Sequence, residues 1–380
     1  MRKLSATAWV IGFVLWVWPG LPAGATLPAF CPSPLVAFPS APEAVWSPLQ
    51  RLLAAAQAAG SPGQGEKPSA RNVEGPENAD DDPQQIERFR DLIAKESFQE
   101  LDPQLRSYLS AHPRSWRAYY CLGYVQLRQR RIGDSIKSLS KSLELNASNA
   151  EAHKILARDL AIIGRYDFAL REYQAALRLD PTSAEVHYNC GRIYTFLDEF
   201  RKARAELEKA IRLDAKYMEA YNALGFAVEA LGDDAGALEG YLTAIRLNEE
   251  RHGKFDAAYV NLSAYYNRRG KSDLALEYAH RALALNPQSD LAYFQIAKTC
   301  RAQQDWKGVV AALEKAIVIS SSRPQYFYVL GIAYGKLGRS QESERAFQTF
   351  HDLEKQGADY QRQRADIHSV PHRLELRPIE

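Results

Sequence analysis

The chain has 380 residues, with 48 Lys plus Arg against 46 Asp plus Glu and a formal net charge of +2. Near neutrality argues against nucleic acid as the main partner, because phosphate binding needs a surplus of Lys and Arg on one face. Four cysteines are too few for a small disulfide framework, and 46 % hydrophobic with 25 % charged residues is close to a soluble globular composition. Of the 19 prolines, 12 fall between Pro19 and Pro83, so a proline-rich front precedes a long body poor in proline.

Residues 1–25 have the form of an export address. Arg2 and Lys3 precede an uncharged run from Leu4 through Ile11, Phe13, Val14, Leu15, Trp16, Val17 and Trp18, and Ala23-Gly24-Ala25 supplies a small-x-small cleavage site. A basic n-region, an apolar h-region and such a site describe a secretory signal peptide. The protein is therefore expected to be exported, to a periplasm or outside the cell. The alternative is an uncleaved anchor; Pro19 and Pro22, limiting the helix so soon after the apolar run, favour cleavage. Cys31 follows Pro28-Ala29-Phe30, which lacks the small residues of a lipobox, so lipidation is not expected. No later segment is apolar enough to span a bilayer.

Residues 26–82 read as a proline-rich, disordered tether. Pro28, Pro32, Pro34, Pro39, Pro42 and Pro48 recur too often for helix or sheet, and Ser61-Pro62-Gly63-Gln64-Gly65 continues the bias. Such a composition cannot bury enough apolar surface to offset chain entropy. One short helix fits within it, 47–59, where Leu49, Leu52, Leu53 and Ala56 share a face.

From Trp116 the chain repeats. Ala184-Glu185-Val186-His187-Tyr188-Asn189-Cys190-Gly191 and Met218-Glu219-Ala220-Tyr221-Asn222-Ala223-Leu224-Gly225 are offset by 34 residues. In that register small residues stand at place 8 of each unit (Gly123, Ala157, Gly191, Gly225, Ser263, Ala297, Gly331). Place 20 holds Ser135, Ala169, Ala203, Ala237, Ala275, Val309 and Ser343. Place 27 holds Ser142, Ala176, Ala210, Ala244, Ala282, Ala316 and Phe350. Unit ends read Leu179-Asp180-Pro181 or Leu285-Asn286-Pro287.

This pattern strongly resembles the tetratricopeptide repeat family: a large apolar residue at place 4, Leu-Gly at 7 and 8, Tyr at 11, Ala at 20 and 27, Pro at 32. The resemblance covers seven units over 116–350, with a degenerate unit at 83–115 marked by Phe98, Leu105, Tyr108 and Pro113. It implies an all-α fold, a right-handed α-solenoid of antiparallel helix pairs. One unit cannot bury its own apolar stripe, so stability comes from stacking. Small side chains at places 8, 20 and 27 let the backbones approach. Gly164, Gly232, Gly270 and Gly338 suit a left-handed turn after a helix. Four extra residues around Arg251 to Phe255 are expected to lengthen the turn between the fourth and fifth units, and Val309 to loosen helix contact in the sixth. Residues 351–380 are expected to begin as a capping helix and to fray from His368 onward.

In this family the first helix of each unit faces a concave groove. Carried onto this chain, the groove would hold Tyr120 and Tyr124; Lys154 and Arg158; Tyr188, Arg192 and Phe196; Asn222 and Phe226; Asn267 and Arg268; Phe294, Lys298 and Arg301; Tyr328 and Lys336. Glu151, Glu185, Glu219 and Glu229 interrupt them. Aromatic planes give contact area at low entropy cost, and Arg or Lys recognise carboxylates. The expected ligand is an extended, partly acidic peptide. Lys154 and Arg158 resemble the basic pair of carboxylate-clamp domains, but Tyr120 and Tyr124 replace the Asn and Lys that a clamp needs; the pair is kept as an anion contact.

No catalytic constellation accompanies the repeats, and neither cofactor nor metal is expected. Cys121, Cys190 and Cys300 fall at helix-packing places in separate units, which reads as buried free thiols. His153 and His187 share place 4 of consecutive units without a third ligand, which reads as packing. Asn146-Ala147-Ser148 fits a glycosylation sequon. The expected protein is a non-enzymatic scaffold for a protein or peptide partner. The competing expectation is a carbohydrate-binding or assembly component of a polysaccharide export system, whose sugar rings the same aromatics could stack.

Overall fold

The computed structural model describes residues 81–368, with side chains to Gly357. The signal peptide, the tether with its 47–59 helix, Cys31 and the tail from 369 lie outside the described residues.

Sixteen helices and no strand occupy the described residues. In chain order they are α1 (Pro83–Ala94), α2 (Phe98–Ala111), α3 (Trp116–Arg128), α4 (Ile132–Leu145), α5 (Ala150–Ile162), α6 (Tyr166–Leu179), α7 (Ala184–Phe196) and α8 (Phe200–Leu213). They continue as α9 (Met218–Ala230), α10 (Asp234–Glu250), α11 (Ala257–Arg268), α12 (Ser272–Leu285), α13 (Asp290–Ala302), α14 (Trp306–Ile319), α15 (Pro324–Lys336) and α16 (Ser340–His368). Each odd-numbered helix pairs with the next, and each pair stacks on its successor, the arrangement of an all-α solenoid. No helix among the described residues is long and apolar enough to cross a membrane.

Local chemistry sets the helix ends. Ser115, Asn149 and Ser183 cap α3, α5 and α7 by accepting from the amides of Ala118, Ala152 and Val186. Asp233 and Asp305 do the same for α10 and α14. The first helix of every pair ends in a left-handed residue: Gly164, Gly232, Gly270 and Gly338, and in the same register Glu96, Arg130, Asp198 and Gln304. The following amide then donates five residues back, as Arg165 does to Leu160 and Asp305 to Cys300, closing the helix in a Schellman turn.

The joint within each pair follows from the small residues. A Cβ on Gly123, Gly191 or Gly225 would meet Leu139 at 2.6 Å, Leu207 at 2.6 Å or Tyr241 at 2.9 Å, so the residue at place 24 fills the volume that glycine leaves at place 8. Hydroxyls lock the same joint: Ser135 and Ser343 donate to the carbonyls of Gly123 and Gly331, both at 2.8 Å, and Ser263 donates to Ala275 at 2.7 Å. Val309 in the sixth unit is fully buried, as is Ala297.

The extra residues near Arg251 do not simply lengthen a turn. They extend α10 to 17 residues, against 14 in α4, α6 and α8. Buried Asn248 ties the exit by accepting from the Phe255 amide at 3.0 Å, and Glu249 pairs with Arg281 at 2.6 Å. The second helix of the last unit and the capping segment are likewise one continuous helix, α16, of 29 residues.

Candidate functional site

First helices of neighbouring units pack directly on one another: α3 on α5, α7 on α9, α9 on α11 and α11 on α13. Every residue named for the groove except Lys336 and Tyr328, on α15, lies on α3, α5, α7, α9, α11 or α13. Their partners divide them into three groups.

The first group packs. Tyr120 and Tyr124 are half-buried against the core, and Tyr124 stands edge-on to Phe98 at 6.4 Å. Phe196 lies 4.7 Å from Tyr166, and Phe294 lies 4.9 Å from Tyr326. These rings fill joints between neighbouring units. The second group is engaged in polar contacts between units. Asn222 accepts from Asn261 at 3.0 Å; Asn267 donates to Gln295 and accepts from Thr299 at 2.7 Å. Lys154 pairs with Glu151 at 2.7 Å and Asp180 at 3.7 Å, its side chain 14 % exposed. The basic pair expected with Arg158 is therefore reduced to Arg158, because Glu151 and Asp180, the residue that closes α6, already neutralise Lys154. Arg268 grips Glu229 in two-pronged fashion, at 2.9 and 2.6 Å, and Arg269 adds a third bond at 3.0 Å. Burial alone would raise the Glu229 carboxyl, yet these guanidiniums hold it below the usual range.

The third group remains open. Phe226 is 42 % and Tyr328 36 % exposed. Half-buried Tyr188 packs tilted against Tyr217 at 4.9 Å, with the Arg192 guanidinium over its ring at 5.6 Å. Arg158, Arg192, Lys298 and Arg301 form no ion pair among the described residues. Lys298 is half-buried, and burial together with Arg268 and Arg301 holds its ammonium down at about 8. Tyr217, Tyr326 and Arg269 escaped the sequence reading because they stand outside the family's groove-facing places.

Chemistry elsewhere is structural. His153 Nδ1 lies 2.6 Å from Glu172, and His187 Nδ1 lies 2.6 Å from Glu206, the same pair one unit on. A Glu 19 residues after each His was a legible signal for it. Cys121, Cys190 and Cys300 are free thiols, and burial pushes the first two up to about 12. No group of three or more His, Cys, Asp or Glu among the described residues is placed to hold a metal.

A family model described as a TPR repeat matches residues 158–198 and 191–232, from the end of α5 through α9. Those residues carry tetratricopeptide repeats. A TPR protein from Parabacteroides merdae has the same fold, with a TM-score of 0.56 at 18 % identity over 66 % of this chain and 97 % of that one. Yeast Tom70 gives 0.55 at 16 % identity, over 72 % and 60 %. Among curated proteins, the photosystem I assembly protein Ycf3 of Cyanophora paradoxa is 33 % identical over 97 residues, 26 % of this chain. The chain spans about half, 56 %, of that relative's length. TPR repeats and the TPR folds that the chain resembles support a protein–protein interaction scaffold.

Proposed function

We propose that the face formed by the first helices captures an extended, partly acidic segment of a protein partner, and that it does so after export. The observation that carries this reading is the charge balance of that face. Glu151 and Glu229 are neutralised internally; among the described residues Arg158, Arg192, Lys298 and Arg301 form no ion pair, against only two acids of the face, Glu185 and Glu219, that form none either, so cations are in excess. The exposed ring of Phe226 stands on α9 between those cations and that of Tyr328 beyond them on α15, and both supply apolar contact at low entropy cost. The Cyanophora paradoxa relative is named for assembly of photosystem I, work of the same class. Export is supported by the basic, apolar and small-residue segments of 1–25.

Exposed rings would also stack sugar, so a glycan of a polysaccharide export system is the second reading. Salt separates the two. An alternating Glu-Leu octapeptide should lose at least tenfold in affinity between about 50 and 500 mM salt, and more weakly in an Arg158→Glu, Arg192→Glu variant. Salt-independent binding, or binding of neutral glycan in preference to the peptide, would overturn the acidic-partner reading.

A further inference from the structure

Along the inner face the cations differ in what surrounds them. Lys154 has two carboxylates within ion-pair distance, and Arg268 has Glu229. Lys298, on α13, has none. Its ammonium stands 5.8 Å over the Phe294 ring, one turn back on the same helix. Arg301 follows three residues on, so the two cations share a face of α13. The charged groups acting on Lys298 are Arg268 from α11, itself paired with Glu229, and Arg301, both positive. Gln295 and Thr299, the neighbours that could have offered it oxygen, are bound to Asn267. A half-buried lysine beside two guanidiniums, with no carboxylate in ion-pair reach, is held at a cost in free energy, and an arriving anion removes that cost.

We infer that Lys298 and Arg301, backed by the Phe294 ring, form a carboxylate subsite of the groove that takes one carboxylate of the acidic partner. The subsite presupposes that the inner face is the binding surface, and it names where on that face the partner's charge is anchored. The carboxylate is either a side chain or a chain terminus. Because Lys298 is held at about 8, the free protein is only partly protonated there just above neutrality. A bound carboxylate restores the full charge, so binding takes up a proton.

The test is calorimetry of the full chain with the alternating Glu-Leu octapeptide, free or amidated at its C-terminus, at pH 8.5 in two buffers of different ionisation enthalpy. The wild-type protein should take up a substantial fraction of a proton on binding. Lys298→Met should weaken binding about tenfold and abolish the uptake. Lys298→Arg should keep most of the affinity and lose the uptake, since a guanidinium is always protonated; a merely structural lysine would not separate the two readouts. Loss of affinity on amidation assigns a terminal carboxylate, and equal affinity assigns a side chain. Equal affinity and equal uptake in Lys298→Met overturn the subsite; if Phe226→Ala still weakens the peptide, the groove itself stands. No binding of the peptide by wild type overturns both.

Discussion

At place 15 of every unit the backbone turns left-handed, whether or not glycine is there to make it easy. Glycine accepts that conformation freely, whereas an L-residue bears about 1–2 kcal/mol. Gln304, at φ 60°, is exposed, and its backbone amide still donates to Arg301. Gln304→Gly should therefore raise stability by about 0.5–1 kcal/mol in urea titrations, and Gly338→Ala should lower it by a similar amount. A destabilised Gln304→Gly would show that its side chain, not its backbone, holds the turn. This position also marks how far a single sequence can be read. Glycines announce the turn in four units, but Glu96, Arg130, Asp198 and Gln304 carry no such signal, and only the 34-residue register extends it to them.

Asp159 is the second residue-scale feature. It is fully buried on α5, and burial pushes its carboxyl up to about 7, against the pull of Ser135 and Arg158. Ser135 has one proton and two acceptors in reach, the Gly123 carbonyl at 2.8 Å and Asp159 Oδ2 at 2.5 Å. A protonated Asp159 donates to Ser135 and lets Ser135 donate to Gly123, which satisfies the whole chain of bonds. With the folded value raised above the unfolded one, the stabilisation is full below about 4 and is lost as pH rises through about 7. Wild type should lose a few kcal/mol relative to Asp159→Asn between pH 5 and pH 8, on the order of 1.4 kcal/mol per pKa unit. Parallel curves for the two proteins would mean that Asp159 titrates as it does unfolded.

At the scale of helices, the paired joint is a volume match between places 8 and 24. A methyl on Gly225 would meet the Tyr241 ring at 2.9 Å and the Ala237 carbonyl at 3.0 Å. Gly225→Ala should cost about 1–3 kcal/mol by overpacking, seen as a lower thermal midpoint with helical circular dichroism retained; an unchanged midpoint would mean that α9 and α10 can part freely. Small residues at fixed intervals made this joint legible from sequence. The destination of the extra residues was not, because a helix continues wherever its next carbonyls find donors, and Asn248 and Glu249 find theirs in Phe255 and Arg281. The same limit applies to the groove. The sequence placed Lys154 and Arg268 on the inner helices, but their partners Asp180 and Glu229 come from other elements, the second 39 residues away. Family places say where a side chain starts; they do not say what neutralises it.

For the molecule as a whole, first helix packs directly on first helix from α3 to α5 and from α7 through α13. On the surface of these helices aromatic side chains alternate with basic ones, and four of the cations form no ion pair among the described residues. The account's central claim is that this surface, and not the outer helices, is where the protein binds. Hydrogen exchange of the full chain with and without the Glu-Leu octapeptide tests it most directly. Added protection concentrated in α7, α9, α11 and α13, strongest around Phe294–Arg301, is the predicted result; protection confined to α8, α10, α12 and α14 would contradict it.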